Sequence, residues 1–188
     1  MKICVFCSSS NFVDEVYFQE ARDLGTSIGK GGHQLIYGGT NVGLMNELAK
    51  YAQFSGAKVL GVIPELIKDY GIAANNLDEL IVTSDMMERK RVLRERADAF
   101  IALPGGFGTL EELMEVITLK QLGYHQKPIA IINTNGFYKA LELQFNKSYD
   151  LRFSRDSYRK LYKFVNSSQD ALLHICNEIV DSIKPKWD

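Results

Sequence analysis

Short apolar runs alternate with longer amphipathic stretches along most of the chain. Ile3–Cys7, Gln34–Tyr37, Lys58–Ile63, Leu80–Thr83, Ala99–Leu103 and Pro128–Ile132 are short and largely apolar, which predicts buried strands. Between them, Asp14–Gly29, Leu44–Phe54, Asp85–Arg96, Thr109–Leu122 and Phe137–Tyr149 read as helices. Pro64–Asn76 is irregular, with room for one short helix. Asn146–Lys160, rich in charge and tyrosine, gives no clear reading. Phe164-Val165 predicts a short last strand, and Ser168–Ile183 a terminal helix stopped by Pro185. This alternation predicts an α/β fold with a largely parallel sheet covered by helices on both faces.

Open parallel sheets bind ligands beyond the carboxyl ends of their strands. Three loops leave such ends: Ser8-Ser9-Ser10, Gly38–Gly43 and Pro104–Gly108. Glycines between a strand and a helix let backbone amides cradle an anion. Gly38–Gly43 is followed by Leu44 and lacks the lysine of a Walker loop, and neither glycine loop spells G-x-G-x-x-G. The loops suit a single phosphate group better than a pyrophosphate. For Gly38–Gly43, a tight turn with close strand–helix packing is an equally good reading.

The chain has 188 residues, 46% hydrophobic and 24% charged, enough for one substantial core. We expect a single domain over residues 1–188. The net charge of −1 argues against broad binding to nucleic acid or an anionic membrane. No apolar run approaches the roughly 20 residues that span a bilayer. The start, MKICVFCSSS, is too short in its apolar part for a signal segment, so a cytoplasmic protein is expected. Cys4 and Cys7 match C-x-x-C, but their spacing puts the side chains on opposite faces of a strand. Buried small side chains explain them better than a redox or metal pair. His33, His125 and His174 are scattered, and no metal or cofactor is implied.

The stretch PGGFGTLEE, 104–112, sets acids beside a candidate phosphate loop. Thr109-Leu110-Glu111-Glu112 matches a capping box, with Thr109 as cap and Glu112 folded back onto the cap amide. The competing reading makes Glu112 a working carboxylate. It requires nearby cations to offset its charge, and Glu88–Arg96 supplies them. Seven of those nine residues are charged, with a net +3. A solvated, ion-paired helix face accounts for this stretch too. Fold logic nevertheless places Arg89 and Lys90 at the rim that carries the glycine loops. An arginine, a carboxylate and a phosphate cradle suit cleavage of an N-glycosidic bond. The carboxylate would stabilise an oxocarbenium-like transition state or activate water.

These residues resemble the Lonely Guy (LOG) family of cytokinin riboside 5′-monophosphate phosphoribohydrolases, whose members were often labelled lysine decarboxylases. The signature P-G-G-x-G-T-x-x-E stands intact at Pro104–Glu112. The family's arginine–lysine pair appears in Met86-Met87-Glu88-Arg89-Lys90. Cys7–Ser10 and Tyr37–Met45 correspond to its C-G-S-S and Y-G-G-G-x-x-G-L-M stretches. The resemblance covers roughly residues 2–145.

It implies a Rossmann-like, doubly wound fold and a homodimer. It also implies cleavage of a nucleoside 5′-monophosphate, AMP or N6-prenylated AMP, into free base and ribose 5-phosphate. Arg89 and Glu112 fall on the catalytic positions. Gly105, Gly106, Phe107, Gly108 and Thr109 fall on the phosphate loop, and Lys90 and Thr118 on further substrate contacts. Met86 stands near the base, and Ser9 and Gly39 in the two other substrate-binding stretches. Departures occur at Ser8, Thr40 and Met87, and at Gly71, where many members carry an acid. They bear on base specificity more than on chemistry, and motivate a rival reading as a non-catalytic nucleotide binder like the molybdenum-cofactor carriers. A pyridoxal-phosphate decarboxylase is a poor fit to a chain this short. Leu110, Leu113, Met114 and Ile117 suit either the core or a dimer interface.

Overall fold

The computed structural model describes residues 1–177. Its strands are β1 (Lys2–Phe6), β2 (Gln34–Tyr37), β3 (Val59–Pro64), β4 (Glu79–Thr83), β5 (Ala99–Ala102), β6 (Ile129–Ile132) and β7 (Lys163–Val165). They pair side by side in the order β4-β3-β2-β1-β5-β6-β7, parallel throughout. The helices are α1 (Glu15–Lys30), α2 (Gly43–Phe54), the single turn α3 (Glu65–Ile67), α4 (Met86–Arg96), α5 (Phe107–Gln121), α6 (Lys139–Asp150) and α7 (Ser168–Asn177).

Strand side chains point alternately to the two faces. Ile3, Val5 and Cys7 pack with α1, α2 and α7, whereas Cys4 and Phe6 pack with α4 and α5 on the other side. The two thiols therefore lie on opposite faces of the sheet, as their spacing predicts. Leu113 and Ile117 join the second core, while Met114 of the same helix points outward. This is a Rossmann-like, doubly wound sheet. Strand order reverses between β1 and β5, so the loops after these two strands diverge and open a crevice.

The irregular stretch after β3 is α3 followed by a widened turn, Lys68–Ile72, in which Gly71 has φ +75°. It folds over the glycine loop: Asn41 N–H donates to Ile72 O and Ala74 N–H to Gly39 O, each at 2.9 Å. The unreadable stretch 146–160 is the end of α6, a turn and a 3-10 segment, Asp156–Leu161. That segment drives Tyr158 and Leu161 into the core. The predicted terminal helix forms from Ser168 to Asn177, and its continuation to Ile183 lies outside the described residues.

Candidate active site

The site is built from the starts of two helices. α4 begins with Asp85 as its cap, whose carboxylate accepts from Glu88 N–H at 2.8 Å. Glu88 reaches back to Ser84, accepting from its N–H at 2.8 Å and its hydroxyl at 2.9 Å. These two bonds from Ser84 hold the Glu88 carboxyl below its usual range. This reciprocal cap lies on α4, not on α5 as the sequence pattern predicts. The D-x-x-E at Asp85–Glu88 was the legible signal for it.

α5 starts two residues earlier than Thr109. Gly106 occupies the cap position and brings no side-chain cap. Thr109 is thus inside the first turn and Glu112 lies well past it. The capping-box reading of Thr109 and Glu112 is therefore wrong. The amides at the start of α5 instead carry the positive end of the helix dipole toward the crevice.

Glu112 pairs with Arg89, and both are buried, each 8% exposed. Arg89 Nη1 donates to Glu112 Oε1, and Nε donates to the Val62 carbonyl at 3.1 Å. Burial raises the Glu112 carboxyl above its usual range, against the opposing pull of Arg89. Burial and the same carboxylate push the Cys7 thiol up, so it stays protonated. The other cations of α4 are engaged outside the site. Lys90 bonds Glu111 and lies 3.3 Å from Glu115, and Arg94 donates to Glu115 at 2.5 Å. The acids beside the phosphate loop thus part company: Glu111 turns out to Lys90, and Glu112 turns in to Arg89.

A cavity of about 570 Å³ lies over this pair. It gathers Ser9, Met86, Arg89, Gly106, Phe107, Gly108, Thr109 and Glu112 from the predicted set. Arg89 and Glu112 are the charged residues lining it, and Met45, Pro64, Ile67, Ile72 and Met86 form an apolar wall. Gly39, Lys90, Gly105 and Thr118 do not line it. Gly39, at φ +74°, supports the turn. A Cβ on Gly105 would stand 2.1 Å from Thr109 Oγ1, so this glycine makes room for the threonine. Thr118 lines a separate cavity of about 240 Å³ between α5 and α6.

Sequence reasoning missed the supports. Tyr138, buried, donates its hydroxyl to Leu103 O at 2.7 Å, just before the PGG turn. Asn11 Oδ1 accepts from Gly43 N–H at 2.8 Å and ties the serine loop to α2. Neither bond has a local sequence signal, because each partner is more than thirty residues away. Thr40, in place of a glycine, is buried and sets its hydroxyl 3.4 Å from Met45 Sδ.

Residues 45–175 match the sequence family described as "Possible lysine decarboxylase". Cytokinin riboside 5′-monophosphate phosphoribohydrolase LOG5 of Arabidopsis thaliana is 36% identical over 191 residues, covering 100% of this chain and 84% of the relative. LOG7 of the same plant is 41% identical over 160 residues, covering 85% and 74%. The chain belongs to the LOG family. Its match to LOG proteins along most of the chain contrasts with a more distant likeness to solved structures. The molybdenum cofactor binding protein of Rippkaea orientalis superimposes with a TM-score of 0.73 at 22% identity, covering 93% of this chain and 94% of that one. The Moco carrier protein of Chlamydomonas reinhardtii gives 0.72 at 23%, with 93% and 94% covered. At such identities these neighbours establish the fold alone, while LOG membership rests on the sequence relatives.

Proposed function

We infer that this chain is a phosphoribohydrolase that cleaves the N-glycosidic bond of a nucleoside 5′-monophosphate, AMP or N6-prenylated AMP. The products are free base and ribose 5-phosphate. The observation that carries this reading is the buried Arg89–Glu112 pair at the floor of the cavity, beside the uncapped start of α5.

The amides of the first α5 turn take the 5′-phosphate, with Ser9 and Thr109 supplying hydroxyls beside it. This sets the ribose over Glu112. As the C1′–N bond breaks, its electron pair leaves with the base, which takes up a proton. Positive charge grows on C1′ and the ring oxygen, and the Glu112 carboxylate lies beneath it. Water adds its oxygen to C1′ and gives its proton to Glu112 or through it to solvent. Arg89 fixes the carboxylate and favours its charged form against the burial that opposes it. The apolar wall of Met45, Ile67, Ile72 and Met86 receives the base and suits an alkyl group on it. Lys90 holds α4 to α5 through Glu111 and Glu115, which orients Arg89 indirectly.

We also infer a cytoplasmic homodimer. Met87, Phe107 and Met114 are exposed on α4 and α5, which supports an interface there. The three cysteines are free thiols, which suits a reducing compartment. The test of the reaction is chromatography of purified protein incubated with AMP and with isopentenyl-AMP. Free base should appear from a monophosphate and not from the matching nucleoside, which lacks the group the α5 turn holds. A protein that releases base from no nucleoside monophosphate contradicts the assignment.

A further inference from the structure

At the amino ends of the strands, at the opposite end of the sheet from the active site, a thioether, an imidazole and a thiol converge. Gln34 N–H donates to Met1 O at 2.9 Å, so the start of β1 and the turn before β2 are locked together. This sets Met1 beside His33. From the other side, α7 brings Cys176. Its Sγ lies 3.9 Å from Met1 Sδ and 3.8 Å from His33 Nε2. His33 Nδ1 in turn lies 3.3 Å from the Met1 amine. Cys176 is exposed, unlike the buried Cys4 and Cys7, so the cluster is open to solvent.

We propose that Met1 Sδ, His33 Nε2 and Cys176 Sγ form a three-coordinate site for a soft monovalent metal ion, Cu(I). Ligand atoms roughly 2.0 to 2.3 Å from a metal and 120° apart stand roughly 3.7 to 4.0 Å from one another. The two separations from Cys176 Sγ already fall in that range. Among the described residues, no three His, Cys, Asp or Glu side chains gather around a common point. The thioether completes the set here, and a thiolate with a thioether selects a soft cation. One thiolate also neutralises one positive charge. Zn(II), by contrast, takes four ligands and would keep a net charge. Binding releases the Cys176 thiol proton to solvent. The imidazole turns its Nε2 lone pair to the metal and carries its proton on Nδ1, and the Met1 amine, 3.3 Å from that nitrogen, swings away to solvent.

The test is an anaerobic titration of the full chain with Cu(I), competed by the coloured chelator bicinchoninate, with any affinity tag kept off the amino terminus. The wild type should withdraw one equivalent from the chelator. Cys176→Ser should bind at least 100-fold more weakly, and His33→Ala at least tenfold. Both variants should keep the wild-type melting temperature and base-releasing activity, because the cluster lies away from the catalytic cavity. X-ray absorption on the copper-loaded protein should show two sulfur neighbours and one nitrogen. Copper left entirely with the chelator, Cys176→Ser binding as tightly as wild type, or a shell with a single sulfur overturns the proposal.

Discussion

Arg89 performs two jobs with one planar group. Its Nε is fixed on the Val62 carbonyl and its Nη1 on Glu112. A lysine has the charge but not the fork, so Arg89→Lys should lose about 100-fold in kcat with a folded protein. The check is steady-state kinetics beside a melting curve. Gly38 belongs to the same arrangement, since a Cβ there would stand 2.6 Å from Arg89 Nη2. Glu112 must be ionised to face a developing cation, and burial raises its carboxyl. The acid limb of kcat/KM should therefore lie above the ordinary glutamate value of roughly 4.3. A limb at or below that value in a pH profile would show that some other group governs activity. At this scale the signature singled out Arg89 and Glu112, and the structure brings these two side chains together in the cavity. Its neighbour Lys90 was not placed by any local pattern, because its partners Glu111 and Glu115 lie on another helix.

Elements misled where a cap decided their start. T-x-x-E at Thr109–Glu112 is a sound local signal, yet Gly106 begins α5 and Asp85–Glu88 carries the reciprocal cap. Local capping contributes about 1 kcal/mol, a small term beside the burial of a helix face in the core. α2 begins at Gly43, with φ +60° and a site for Cβ only 2.3 Å from the Ser9 carbonyl carbon. Gly43→Ala should lower stability by roughly 2 to 4 kcal/mol and separate the serine loop from α2. Its denaturant midpoint measures this. The turn after α5 carries a second pH response. His125 Nε2 donates to Val116 O at 2.9 Å, and Nδ1 accepts from Lys127 N–H at 3.2 Å. Burial lowers its pKa to about 4. The unfolded chain therefore binds a proton there that the folded chain refuses between pH 6.5 and 4. Stability is complete above roughly pH 6.5 and should fall by on the order of 2 kcal/mol as pH drops through that window. His125→Gln should flatten this loss in melts at pH 7 and pH 4.5.

The whole molecule follows from alternation more than from any single residue. Parallel strands buried on both faces read as continuous apolar runs, which is why the six longer strands were visible and the three-residue β7 barely so. Strand order is set by which faces pair, and no window of the sequence contains it. The reversal at β1 and β5 is what brings Ser8–Ser10, the PGG turn and Arg89 to one crevice. The segment 146–160 was opaque because its 3-10 turn gains its place from packing Tyr158 and Leu161, not from local periodicity. The outward apolar residues Met87, Phe107 and Met114 make assembly testable as well. Light scattering should give twice the 21.2 kDa of one chain, and Met114→Glu should shift the mass toward the monomer.

The central claim is that Glu112 acts on the anomeric carbon and not in holding the helix or the ligand. Glu112→Gln keeps the shape and loses the charge. On one preparation, AMP binding by calorimetry and base release by chromatography decide the matter. Binding within threefold of wild type with turnover reduced at least 1,000-fold is the expected result. Full turnover in that variant contradicts the account.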